Sequence, residues 1–201
     1  EPKLDTLLEP LPEDFLAGHG ITLDPLKPTL IYAPTWGVLS SEDVLIPQLL
    51  QLLPDYNIVY KPHHMTFMSR YEFIADLNRT SDIQVVAEDV SFMDLLKIDA
   101  VVVSDNSGAI FDTLHSGKPF ILIDTLAESP VNVYTETPFF TFSGGKFTGV
   151  ATSAESLEQV IKQEGVEIAP VVRTNRKSVW HQGSLRQSII EAIRAASDEV
   201  Y

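Results

Sequence analysis

From residue 29 onward, short apolar runs alternate with stretches in which apolar residues recur at helical spacing. The runs at 30–33, 57–60, 83–86, 100–103 and 120–123 are rich in β-branched and aromatic residues and are bounded by Pro, Gly or Asp, which predicts five strands. Between them, Val44, Leu45, Leu49, Leu50 and Leu53 follow an N-terminal Ser40-Ser41-Glu42-Asp43, the signature of a capped helix. Residues 68–77 suit a second helix, and Ser91 opens a third that carries Met93, Leu95 and Leu96. Residues 109–115 predict a fourth. Strands alternating with helices imply a parallel sheet covered on both faces, with right-handed connections. The expected fold is therefore α/β: a Rossmann-like, doubly wound parallel sheet of five to six strands.

The ends of the chain are less regular. Residues 1–28 are rich in Pro, Leu and acids, with a short helix predicted at 12–16, and read as a connector ahead of a domain spanning 29–201. Glu1-Pro2-Lys3 lacks the features of a signal peptide and reads as the cut end of a longer protein. Beyond Asp124, a sixth short strand is expected at 150–151, and helices at 153–162 and 184–198.

In such a sheet every strand-to-helix loop falls on one edge, where open α/β folds bind ligands. The polar residues collect in those loops. Pro34-Thr35-Trp36-Gly37 follows the first strand, Lys61-Pro62-His63-His64 the second, Glu88-Asp89 and Ser91 the third, and the segment 104–108 the fourth. The last of these opens a helix with small side chains, Asn106, Ser107 and Gly108, where free N–H groups and the helix dipole attract phosphate. It matches neither the GxGxxG fingerprint nor a Walker loop. A plain N-cap at Ser107 explains the same residues. His63 and His64 are candidates for phosphate contact, since an imidazole beside phosphate is favoured in its protonated form and can donate a proton. The plain alternative is a pair of surface histidines. Asp112 is placed to meet sugar hydroxyls or simply to favour the helix start. Thr35 and Trp36 complete the candidates, while His19, His115 and His181 fit solvated or capping roles better.

Composition narrows the partners. At 201 residues the chain is long enough for one full α/β core, and 44% hydrophobic content is ordinary. A net charge of −14 argues against nucleic acid and against adhesion of this portion to an anionic membrane. An anionic ligand must then be held locally, by helix N-termini and a few His and Lys residues such as Lys61. Cysteine is absent, and no Asp/Glu/His cluster has ligand spacing, so neither a metal nor a cofactor is expected.

The segments LIYAPTWG, VYKPHH, VSFMDLL and DAVVVSDNSGAIFDTLHSGKPFILID, in that order, resemble the CDP-glycerol glycerophosphotransferase family of teichoic-acid polymerases. That family shows a "YAPTwR" loop, a "KPHP" loop and a "DvlItDYSSvifDf…kPvi" segment at similar spacing. Its members resemble GT-B glycosyltransferases, in which two Rossmann-like domains face each other and the C-terminal one holds the nucleotide donor. The resemblance runs from about Pro2, where Pro2-Lys3-Leu4-Asp5 is similar to the motif that closes the family's N-terminal domain, to Asp124. It implies a catalytic, phosphate-contacting role for His63. It implies donor contacts from Ser104, Asn106, Ser107 and Asp112. His64 replaces the family's Pro, Asn106 its Tyr and Gly108 its second Ser, and Gly37 stands where a basic residue is common. The Asn106-Ser107-Gly108 version is closer to the "GNSGG" turn of UDP-N-acetylglucosamine 2-epimerases, which share the fold.

The resemblance thus implies the donor-binding domain of a transferase of surface-polymer synthesis, taking CDP-glycerol or a nucleotide sugar. It would be partnered by an N-terminal domain that supplies the catalytic base, and would be inactive alone. It also implies a cytoplasmic protein that meets the inner membrane face only through other parts. An epimerase on the same fold and a non-catalytic Rossmann-like interaction module remain the alternatives.

Overall fold

The computed structural model describes residues 3–105, 107–116, 118 and 120–123. Five strands form one parallel sheet: β1 (Thr29–Tyr32), β2 (Asn57–Tyr60), β3 (Gln84–Val85), β4 (Val101–Ser104) and β5 (Phe120–Leu122), in the order β3-β2-β1-β4-β5. The helices are α1 (Phe15–Gly18), α2 (Glu42–Leu52), α3 (His64–Ser69), α4 (Tyr71–Thr80), α5 (Phe92–Leu95) and α6 (Ala109–Ser116). This is the expected doubly wound α/β arrangement. The expected elements at 150–151, 153–162 and 184–198 lie outside the described residues, as does Asp124.

The central strands are apolar without alternation because both faces are covered. Leu30, Ile31, Tyr32, Ile58, Val59, Tyr60, Val102 and Val103 are all buried. Tyr32 and Tyr60, paired in register across β1 and β2, stack with ring centroids 5.4 Å apart. Their hydroxyls would be costly in such a place without partners, and each has one: Ser41 for Tyr32 and Glu42 for Tyr60. Phe15 and Ile21 join the same core, and a 3-10 turn at Lys3–Leu8 packs on α5 and α6. His19 closes α1, its Nδ1 at 2.7 Å from the Phe15 carbonyl.

One local expectation changes. The helix expected at 68–77 is two helices, α3 and α4, broken at Arg70, whose backbone (φ −134°, ψ 37°) is not helical. Its guanidinium reaches Glu42 at 3.2 Å and Asp43 at 2.6 Å, so the break serves a contact with α2. Helix α2 retains Pro47 in its interior, at the cost of one backbone donor.

The ladders extend one residue past each strand at the same end of the sheet. Ala33 N–H donates to the Val103 carbonyl, Lys61 N–H to Tyr32, Val86 N–H to Tyr60 and Ile123 N–H to Ser104. The loops that follow therefore leave the sheet at a common level. The sheet order reverses between β1 and β4, and ligand crevices of open α/β sheets form at such a point.

Candidate functional site

A cavity of about 490 Å³ opens at that edge, within the range of roughly 300–1,000 Å³ usual for small-molecule sites. Ala33 and Pro34 from the β1 loop, Lys61, Pro62, His63 and His64 from the β2 loop, and Glu88 and Val90 from the β3 loop line it. Phe92, Ser107, Gly108, Ala109 and Asp112 complete the wall. His63 and Ser107, far apart in sequence, thus border one space.

The β2 loop turns sharply because Pro62 ends the strand and His63 takes extended backbone (φ −64°, ψ 146°) as the N-cap of α3. Its Nδ1 accepts the Met65 N–H at 3.2 Å. An imidazole that accepts at Nδ1 and is neutral carries its proton on Nε2. Burial, and then the neighbouring His64, hold His63 below the usual imidazole pKa, so the unliganded site favours that neutral form. His63 has two ring neighbours: His64, tilted, with centroids 4.2 Å apart, and the half-exposed Trp36, at 6.1 Å and 21° between planes. Trp36 can reach over His63 because Gly37 follows it with φ +72°, the left-handed region that favours glycine. Lys61 spans from β2 to the β3 loop, its Nζ donating to the carbonyls of Ala87 (2.8 Å) and Glu88 (2.9 Å). Burial lowers its pKa, with Asp89 and Glu88 acting in the opposite direction.

The turn before α6 is built differently. Ser104 is fully buried, and its hydroxyl donates to the Ala33 carbonyl at 2.6 Å, so it ties β4 to β1 beneath the cavity. Asn106 lies outside the described residues. Ser107 N–H donates to the Asp105 carbonyl at 2.7 Å, and Ser107 Oγ accepts the Ala109 N–H at 3.3 Å, which is capping behaviour. Ile110 N–H donates to the Ser107 carbonyl. None of these bonds uses the Gly108 N–H. A Cβ built on Gly108 would meet nothing within 4 Å, and its φ is not positive, so neither packing nor backbone conformation requires glycine there. Asp112 lies one turn further along the same wall.

Thr35 does not line the cavity; its backbone N–H donates to Asp105 Oδ1 at 2.6 Å. Asp105 is itself fully buried. Its Oδ2 accepts both the N–H and the hydroxyl of Ser41, each at 2.8 Å, and the Tyr32 hydroxyl lies 2.7 Å from Ser41 Oγ. Of the two serines ahead of α2, Ser40 accepts the Glu42 N–H on its Oγ at 3.2 Å, while the Ser41 side chain turns inward and Asp105 receives the Ser41 N–H from across the sheet edge. Burial raises the Asp105 pKa, and the bonds from Thr35 and Ser41 partly offset it. A second buried carboxylate, Glu42, accepts from the Tyr60 hydroxyl, Thr66 Oγ1 and Arg70. Sequence reasoning passed over both carboxylates: Glu42 looked like an exposed first-turn acid and Asp105 like one more polar loop residue. The available signal was the pair of tyrosines ending two adjacent core strands, whose hydroxyls needed acceptors.

Among the described residues no helix is long and apolar enough to cross a membrane, and no group of three or more His, Asp or Glu side chains is arranged to hold a metal.

No family model matches the chain, and neither does any curated protein. Solved structures do. The chain is similar to the wall teichoic acid polymerase TagF in a variant soaked with CDPG, with 17% identity and a TM-score of 0.63, over 98% of this chain and 49% of that one. A further TagF structure gives 18% identity and a TM-score of 0.58. A structure addressing arginine glycosylation of translation elongation factor EF-P by EarP gives 11% identity and a TM-score of 0.54, over 90% of this chain and 65% of that one. The chain spans about half the length of the polymerase structures it matches. At these identities the likeness is one of architecture: the chain has a Rossmann-like α/β fold matching the GT-B fold of these structures.

Proposed function

We propose that this chain is the nucleotide-donor-binding domain of a GT-B transferase, the C-terminal of its two Rossmann-like halves, with a CDP-linked polyol as the favoured donor. The observation that carries this reading is the single cavity at the sheet's switch point, bordered by His63, Lys61 and the start of α6 together. A diphosphate there meets the Gly108 N–H, the positive end of the α6 dipole and the Nε2 side of His63. The apolar wall of Val90 and Phe92 is left for the flat face of a base. The YAPTWG and KPHH motifs favour CDP-glycerol, the soaked TagF structures add weight, and the DNSG turn stands closer to the epimerase alternative.

In the proposed reaction an acceptor hydroxyl attacks the β-phosphorus of the donor, and the bond from that phosphorus to the oxygen bridging the two phosphates breaks. CMP leaves with the bonding electron pair, and the polyol phosphate stays on the acceptor. Negative charge grows on the departing phosphate, where a protonated His63 and Lys61 stabilise it and His63 can supply a proton. The acceptor's proton goes to a base on the other half of the enzyme, so this domain alone binds donor without turnover. The whole enzyme would act in the cytoplasm at the inner membrane face.

Titration calorimetry with CDP, CDP-glycerol, UDP and UDP-N-acetylglucosamine tests the reading. Heat with the cytidine ligands and none with the uridine ones supports it. Preference for UDP-N-acetylglucosamine moves the assignment to the epimerase-like alternative suggested by the Asn106-Ser107-Gly108 turn. No heat with any of them makes the chain a non-catalytic interaction module.

A further inference from the structure

We infer that Asp105 is the positioning residue of this cavity: its buried carboxylate clamps the β1 loop and the first turn of α2 to the turn that precedes α6. The inference rests on the donor-binding reading for its consequence, though not for its geometry.

Asp105 sits at the one place where the loops after β1 and β4 diverge. Its Oδ1 takes the N–H of Thr35 and its Oδ2 the N–H and hydroxyl of Ser41, partners 70 and 64 residues away in sequence. Through its main-chain carbonyl it also accepts the Ser107 N–H, which shapes the turn itself. One residue therefore joins both walls of the cavity. The loop it holds by side chain continues directly from Thr35 to Trp36, and Trp36 stacks on His63. Asp105 does not itself line the cavity. Its action on His63 runs through Thr35 and Trp36. A fully buried carboxylate with neutral partners is an expensive way to fasten two loops, since an apolar contact would do so with less desolvation. Three converging donors, however, allow only one geometry.

The test reads the Trp36–His63 stack directly, because an imidazolium in contact with an indole quenches its emission. In the full chain carrying Trp180→Phe, Trp36 is the remaining tryptophan. Its emission is expected to fall as pH drops from about 8 to about 5, with a midpoint below the ordinary imidazole value of about 6.5. Asp105→Asn keeps the shape but turns an amide donor toward either Ser41 or Thr35. We expect the quenching amplitude to drop to about half or less while melting stays cooperative, and CDP affinity measured by calorimetry to fall about tenfold. A folded variant with unchanged quenching and unchanged CDP affinity overturns the inference and leaves Asp105 a structural clasp only. Should Asp105→Asn fail to fold, Ser41→Ala removes one of the three donors. An intermediate loss of quenching then supports the inference, and an unchanged titration overturns it. Absence of CDP binding in the parent chain defeats the donor reading, whereas the fluorescence titration still decides the positioning role.

Discussion

The turns after β2 and β4 are both short, polar and placed at the same sheet edge, yet they spend their polar groups in opposite directions. After β2, Lys61, His63 and His64 all border the cavity. After β4, Ser104 and Asp105 point into the protein and are saturated there, and among the described residues of that turn Ser107 and Gly108 reach the cavity. The difference follows from what lies beneath each turn. β4 is a direct neighbour of β1, so its first polar residues meet the departing β1 chain and bond to Ala33 and Thr35. β2 ends at a proline, which forces the chain out and around into α3. A rim of this kind needs both behaviours: one turn offers chemistry, while the other fixes the distance across the gap.

Substitutions can separate the inward groups from the outward ones. The largest effect is expected at the inward-facing Glu42. Glu42→Leu leaves the buried Tyr60 and Thr66 hydroxyls without their acceptor and should lower unfolding free energy by about 3 kcal/mol in urea titrations. Arg70, a third of whose side chain is exposed, adds little to that sum. A loss under about 1 kcal/mol would show that the network is not holding α2 to α3.

The outward-facing His63 should behave in the reverse manner. His63→Ala is expected to weaken CDP binding by about tenfold or more, while removal of its cap on α3 takes no more than about 1 kcal/mol from stability. The sign of the pH dependence follows from its lowered pKa. In the unliganded protein the folded form binds fewer protons than the unfolded chain, so this group's stabilising contribution is lost as pH falls below about 6.5 toward the depressed folded value. A bound diphosphate raises that pKa, with His64, Lys61, Glu88 and Asp112 as the other charged or titratable groups on the same cavity wall. CDP affinity should therefore strengthen as pH falls from 8 to 6, with proton uptake visible when calorimetry is repeated in buffers of different ionisation enthalpy. Affinity that is flat with pH would remove His63 from contact with the phosphates.

Ser104→Ala sharpens the comparison further. Stability should fall by about 1 kcal/mol, since the Ala33 carbonyl loses a donor, with CDP affinity unchanged within about twofold. The smallest stability change is expected at Gly108→Ala, within about 0.5 kcal/mol of the parent in thermal melts, because the added methyl meets only open space. If ligand occupies that space, CDP binding weakens nonetheless, and equal binding by the variant would place the phosphates elsewhere.

Strand positions, the parallel class of the sheet and the loops that meet at its edge were all legible from local pattern. Runs such as Leu30-Ile31-Tyr32 and Val101-Val102-Val103 have few other uses, and proline stops are unambiguous. The GT-B type of fold was implied by the family resemblance that the motifs carry, not by the strand pattern. The break at Arg70 was not legible, because residues 64–77 are apolar at helical spacing throughout and the interruption answers a carboxylate on another helix. Nor was the division of the polar rim. Ser104, Asp105 and Ser107 look alike along the chain, and whether each faces core or cavity depends on β4 lying beside β1, a neighbour some 70 residues away. Local sequence specifies residue type and spacing, which determine the elements. Burial is settled only by what packs against them, and burial decides which carboxylate becomes a clamp and which imidazole stays open to a ligand.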